Sequence, residues 1–137
     1  MSCPYLLGCP QVLKRYNPFM QNLLKLEEAA MCLAGFWLFQ QTGVAWWWFV
    51  VFLLAPDFAM IGYALGPKVG AWAYNLAHHK AVAIAVTALG MLGGVWWLQA
   101  AGAILFAHAS FDRVFGYGLK YAKGFKYTHL GEIGPNR

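Results

Sequence analysis

The sequence predicts an all-α fold, a polytopic membrane helical bundle with four transmembrane helices, and three observations carry that reading. Hydrophobic residues make up 61% of the chain and charged residues only 11%, against about 45–50% and about 25% in soluble domains. Aromatic residues reach 18% and the mean hydropathy is +0.50. Apolar runs near the ~20 residues that cross a hydrocarbon core recur four times, separated by glycine and proline. At 137 residues the chain has the length of one domain.

The elements follow in order. Residues 1–22 hold three of the six prolines, Pro4, Pro10 and Pro18, and read as an irregular cytoplasmic segment without the continuous apolar core of a signal peptide. The first helix is expected over Leu23–Gln41, with Glu27 and Glu28 in its opening turns, where carboxylates suit the positive helix end. Gly43 breaks it. The second runs over Val44–Leu65, enters through the aromatic belt Trp46-Trp47-Trp48 and is interrupted at Pro56-Asp57. Gly66-Pro67-Lys68 makes a turn. The third, Val69–Met91, carries Tyr74, Asn75, His78, His79 and Lys80. After Gly93-Gly94 and a second belt at Trp96-Trp97, the fourth continues to Tyr117. The membrane domain is therefore 23–119, followed by a basic cytoplasmic tail at 120–137. Gly90, Gly94, Ala100, Ala101 and Gly102 read as close-packing surfaces between helices.

The net charge of +5 does not indicate nucleic acid, because the basic residues do not form a patch interleaved with exposed aromatics. Lys14, Arg15 and Lys25 lie before the apolar part, Lys120, Lys123, Lys126 and Arg137 after it, and Lys68 in the middle turn. With four spans these segments share one side, whereas the loops at Thr42-Gly43 and Leu92–Gly94 carry no charge. By the positive-inside rule both termini are cytoplasmic. The tail lysines suit anionic lipid headgroups, and membrane lipids are the expected surroundings. Cys3, Cys9 and Cys32 have no metal-finger spacing and read as free thiols on the reducing side.

Charge inside the spans is the chemical signal. Ionisable groups there are costly and mark function by default. At 1.5 Å per residue, Asp57 lies about 12 Å from the cytoplasmic helix ends, His78 and His108 about 14 Å and Asp112 about 8 Å. His108 and Asp112 are four apart, hence on one helical face. Three helices thus deliver two imidazoles and the chain's only two aspartates to one layer, a mixed donor set that suits zinc, manganese or iron. Tyr74 and Asn75, four and three residues before His78, are placed to support a ligand or contact a substrate. Arg113 or Lys120 would hold an anionic group, Arg113 having Asp57 as its other expected partner, and Lys80 is expected to snorkel or to pair with one of the aspartates. Tyr117 closes the fourth helix beside them, and His129 would join only if the tail folded back. Haem between His78 and His108 is disfavoured by two aspartates in the same layer. The alternative is a packing network, with Asp57–Arg113 and His78–Asp112 pairs, in a non-enzymatic accessory subunit of a larger membrane complex.

Several pieces carry a resemblance: Leu24-Lys25-Leu26-Glu27, Ala55-Pro56-Asp57, Gly62-Tyr63, Gly66 to Ala71, and Tyr74-Asn75-Leu76-Ala77-His78. His108-Ala109-Ser110-Phe111-Asp112-Arg113, Gly116 to Tyr121 and Thr128-His129-Leu130-Gly131 continue it. Together they resemble the bacterial integral membrane proteins of domain-of-unknown-function family 4260, from which His79, Lys80 and Tyr127 depart. The resemblance implies a bacterial inner membrane and no particular activity. The order of Asp57, His78 and His108-x-x-x-Asp112 is also similar, more loosely, to inner-membrane metal-dependent hydrolases. That similarity implies metal-dependent hydrolysis of a lipid-like or membrane-proximal substrate.

Overall fold

A computed structural model of the chain describes residues 18–134. Cys3, Cys9, Lys14, Arg15 and Arg137 lie outside the described residues. The architecture is all-α, with a small hairpin near the end: α1 Pro18–Gln40, α2 Trp46–Phe52, a 3-10 helix Ala55–Leu65, α3 Pro67–Ala77, α4 Lys80–Gly93, α5 Trp96–Val114, β1 Tyr127–Thr128 and β2 Gly131–Glu132.

Several boundaries differ from the expected ones, each for a local reason. Pro18 opens α1, five residues before the expected start, so residues 18–22 are helical. Glu27 and Glu28 consequently sit in mid-helix, and the dipole argument for them falls. The second helix is not continuous. Pro56 lacks an N–H and its ring would meet the carbonyl four residues earlier, that of Phe52, which is where α2 ends. The chain resumes as a tighter 3-10 helix of 11 residues, long for a form that rarely exceeds 3–4 residues. Gly66, at φ +115°, then reverses the chain into α3, with Pro67 in the first turn.

The third helix is broken too. His78 ends α3, His79 is extended, and the axis bends by 48° between α3 and α4. Gly94, expected both as part of the break after the third helix and as a packing surface, serves as the break: it adopts φ +65° and caps α4, and Val95 N–H returns to Gly90 O at 2.8 Å. The fourth helix ends at Val114 rather than Tyr117.

α5 is the centre of the bundle, packed by α1 on one side and α4 on the other. Close approach is possible because small residues face each other. A Cβ on Gly35 would lie 2.8 Å from Ala107 Cβ, and one on Gly102 would run into Thr87. Buried side chains on α5 are Ala100, Ala103, Ile104, Ala107, His108, Ala109 and Ser110, while large apolar ones elsewhere such as Leu33, Phe58, Ile61, Trp72 and Leu92 are exposed. Glu28 on α1 binds Lys80 at the start of α4 and lies 3.9 Å from Arg113 on α5, tying the three helices together.

Among the described residues only Trp46–Leu65, of 20 residues and mean hydropathy 1.8, is long and apolar enough on its own to cross a membrane. The bent pair α3 and α4 makes a second candidate if it is counted as one span.

The tail is ordered against the helices rather than free of them. β1 and β2 pair antiparallel, Tyr127 with Glu132 and Thr128 with Gly131, and Lys120 bridges to Thr128. Lys120, expected on a lipid-facing basic tail or holding an anionic group, is buried at 4% exposure.

Candidate metal centre

Three elements meet at one point. Asp57 comes from the first turn of the 3-10 helix, His78 caps α3, and His108 and Asp112 stand one turn apart on α5. Their ligand-capable atoms all lie within 4.8 Å of one another. His78 Nε2 is 3.5 Å from Asp57 Oδ1 and 3.4 Å from Asp112 Oδ2. His108 Nε2 is 3.4 Å from Asp57 Oδ1, 3.7 Å from Asp112 Oδ1 and 2.8 Å from His78 Nε2. An ion bonded at about 2.0–2.2 Å holds neighbouring ligand atoms roughly 3.0–3.6 Å apart. The three separations of 3.4–3.5 Å fall in that range, and the 2.8 and 3.7 Å ones lie just outside it, so a shared ion would draw the four atoms into a more even ring.

The hydrogen bonds around the cluster prepare its donors. His78 Nδ1 is 2.8 Å from the Tyr74 carbonyl oxygen, which can only accept. That nitrogen therefore carries the proton, and Nε2 presents its lone pair to the cluster, the arrangement a metal-bound imidazole needs. The same carbonyl also takes the His78 backbone N–H at 3.0 Å, the last helical bond of α3. Tyr74 acts twice more. Its hydroxyl donates to Asp112 Oδ2 at 2.7 Å, and its ring stacks on His78 with centroids 3.7 Å apart. His108 is fully buried, and its Nδ1 has no hydrogen-bond partner among the described residues.

Exposure is uneven around the ring. The side chains of His78, His108 and Asp112 are 3%, 0% and 14% exposed, whereas Asp57 is 42% exposed. The cluster is therefore sealed by α3 and α5 and open on the Asp57 side.

The other residues singled out in the sequence are placed differently. Arg113 lies with Glu28 and not with Asp57. Lys80 likewise binds Glu28 rather than an aspartate. Asn75 clamps the tail: Lys120 N–H donates to Asn75 Oδ1 at 2.6 Å, and Asn75 Nδ2 donates to Lys120 O at 2.8 Å. Tyr117 is exposed, with its ring 5.9 Å from Lys120 Nζ. His129 folds back but not into the cluster; its Nδ1 accepts the Leu119 N–H at 2.8 Å. Burial, then the nearby Arg113 charge, holds the His129 imidazole below its ordinary pKa. Burial likewise lowers that of Lys120, opposed by the charges of Asp112 and Asp57.

Tyr63 is the residue the sequence reading passed over. Its buried hydroxyl has no hydrogen-bond partner among the described residues. In a 3-10 helix, residues three apart eclipse, so Asp57, Met60 and Tyr63 fall in one row. The six-residue spacing signals this only once the 3-10 period is known.

No curated protein and no solved structure matches the chain. Every element that builds the cluster falls inside residues 21–133, the stretch matched by the family model described as Domain of unknown function (DUF4260), and the chain belongs to that family.

Proposed function

We propose that this chain is an integral membrane protein of four spans with both termini cytoplasmic. In it, Asp57, His78, His108 and Asp112 hold a divalent metal for hydrolysis of a lipid-like or membrane-proximal substrate. The observation that carries the reading is the convergence of four ligand atoms, drawn from three separate elements, within 4.8 Å. The distribution of side chains supports the membrane setting: alanines, histidines and a serine are inside with Phe39 and Phe49, while many leucines and tryptophans, with Phe19, Phe52 and Phe58, face outward. The mixed nitrogen and oxygen donors suit zinc, manganese or iron.

A divalent ion would act as a Lewis acid that polarises a carbonyl or phosphoryl oxygen and favours ionisation of water. The protein's own part is positional. His78 is held in the ligating tautomer by the Tyr74 carbonyl, and Asp112 is aimed by the Tyr74 hydroxyl. The exposed edge at Asp57 leaves an approach for substrate, and the packed α3 and α5 sides exclude water.

The test is elemental analysis of the full chain purified in detergent, beside alanine variants of each ligand. Near-stoichiometric metal that falls alike in all four variants is the expected result. The competing reading, a packing network in an accessory subunit, gives no metal in the wild type and no common loss among the variants.

A further inference from the structure

Charge at the cluster does not close once Lys120 is included. Asp57 and Asp112 bring two negative charges, a divalent ion would offset both, and the two imidazoles stay neutral. Lys120 then stands beside the cluster with its charge unmatched, at 4% exposure. Among the described residues its ammonium makes no hydrogen bond and no ion pair. It meets ring faces only: Phe125 at 3.9 Å, Tyr74 at 4.9 Å and Tyr117 at 5.9 Å. Aromatic faces attract a cation but leave its charge uncancelled, and an unpaired buried charge is costly.

The two other basic side chains drawn into the helical interior each reach a carboxylate, since Lys80 and Arg113 share the single charge of Glu28; the Lys120 ammonium reaches none. Lys120 is also held in place. Asn75 grips its backbone from both sides, and the Tyr74 ring beneath its ammonium is the one that stacks on His78 and bonds Asp112. One ring therefore separates the ammonium from two of the four ligands. Lys120 further lines a cavity of about 350 Å³, whose other polar lining includes Asn75 and His79.

We infer that Lys120 anchors a phosphate-binding subsite beside the cluster, so that the substrate of the proposed hydrolase carries a phosphate group. A lysine ammonium, with three rotatable donors on a compact charge, binds phosphate as a point charge and needs none of the planar fork geometry of an arginine. This inference rests on the metal reading for its charge balance. The phosphate has two sources, a lipid headgroup or free phosphate, and the chemistry of the anchor is the same for both.

The test loads the full chain with Co²⁺ and follows its visible spectrum while inorganic phosphate is added, for wild type, Lys120→Met and Lys120→Arg. A parallel arm places the protein in nanodiscs of phosphatidylcholine with and without phosphatidic acid. Expected are a saturable spectral change in the wild type and at least a tenfold loss of phosphate affinity in Lys120→Met at unchanged cobalt content. Lys120→Arg should keep most of that affinity. A change with phosphatidic acid alone assigns the site to a lipid headgroup, and one with inorganic phosphate assigns it to the free ion. Full cobalt loading with no response to either, or equal affinity in Lys120→Met, overturns the subsite. If cobalt does not bind, the metal reading has failed by itself. Phosphate titration of the metal-free chain by ³¹P NMR then decides: binding lost in Lys120→Met upholds the subsite, and no binding in the wild type ends it.

Discussion

Removing a single oxygen tests how the cluster is organised. Tyr74→Phe deletes the hydroxyl that donates to Asp112 Oδ2 at 2.7 Å while keeping the ring stacked on His78 and the carbonyl that receives His78 Nδ1–H. A hydrogen bond to a charged acceptor contributes about 1.5–3 kcal/mol. Partners that orient a metal ligand are commonly worth about 10–100-fold in metal affinity, or about 1.4–2.7 kcal/mol at 1.36 kcal/mol per decade. The two routes agree, so zinc binding should weaken by one to two decades. Competition against a chromophoric chelator, with protein in detergent, measures this directly. Asp112→Asn, which removes the ligand's own charge, should cost more than Tyr74→Phe. An affinity for Tyr74→Phe within about twofold of wild type, far below the expected loss, would refute the assigned role of the hydroxyl. Asp112→Asn no weaker than Tyr74→Phe would refute the ligand assignment itself.

Two further outcomes follow from packing and from the tail. Gly35→Ala places a Cβ 2.8 Å from Ala107 Cβ and 3.0 Å from its Cα, against backbone that cannot rotate away. The α1–α5 contact must widen at a cost of about 1–3 kcal/mol, read as a lower melting temperature in detergent; an unchanged melt contradicts the contact. The tail should respond to acid. His129 must be neutral at Nδ1 to accept the Leu119 N–H, and its folded pKa lies below the ordinary 6.5. The docked tail thus takes up its proton less readily than the free chain. Docking is complete above about pH 6.5 and weakens as pH falls from there through the lower folded value. Hydrogen exchange at the Leu119 amide, corrected for its intrinsic rate, should quicken over that range, and His129→Gln should remove the pH dependence.

The helical class and the composition of the cluster were legible because both rest on properties of single residues. Apolar runs bounded by Gly43, Gly66 and Gly94 set the helices apart, whatever the packing. Two aspartates and two histidines embedded in such runs are costly to scatter; counting from the expected helix ends puts the four in one layer, and the fold brings their ligand atoms within 4.8 Å of one another.

What only the tertiary structure decided is how that layer is held. Pro56 marked an interruption, but not that the chain would continue as a 3-10 helix carrying Tyr63 in the row of Asp57. The break at His78 has no glycine or proline to announce it, and the contact of the His78 ring with the Tyr74 carbonyl shows only in the folded chain. Charge partners were read wrongly for Arg113 and Lys80, because each pairs with a residue, Glu28, that lies 85 or 52 positions away in sequence and adjacent only once α1 packs on α5. Lys120 looked like part of a lipid-facing basic tail for the same reason. Its burial is set by Asn75, 45 residues earlier, and by three rings that meet only in the folded chain. Depth along a helix can be counted from sequence; which face meets which neighbour is a property of the packed molecule.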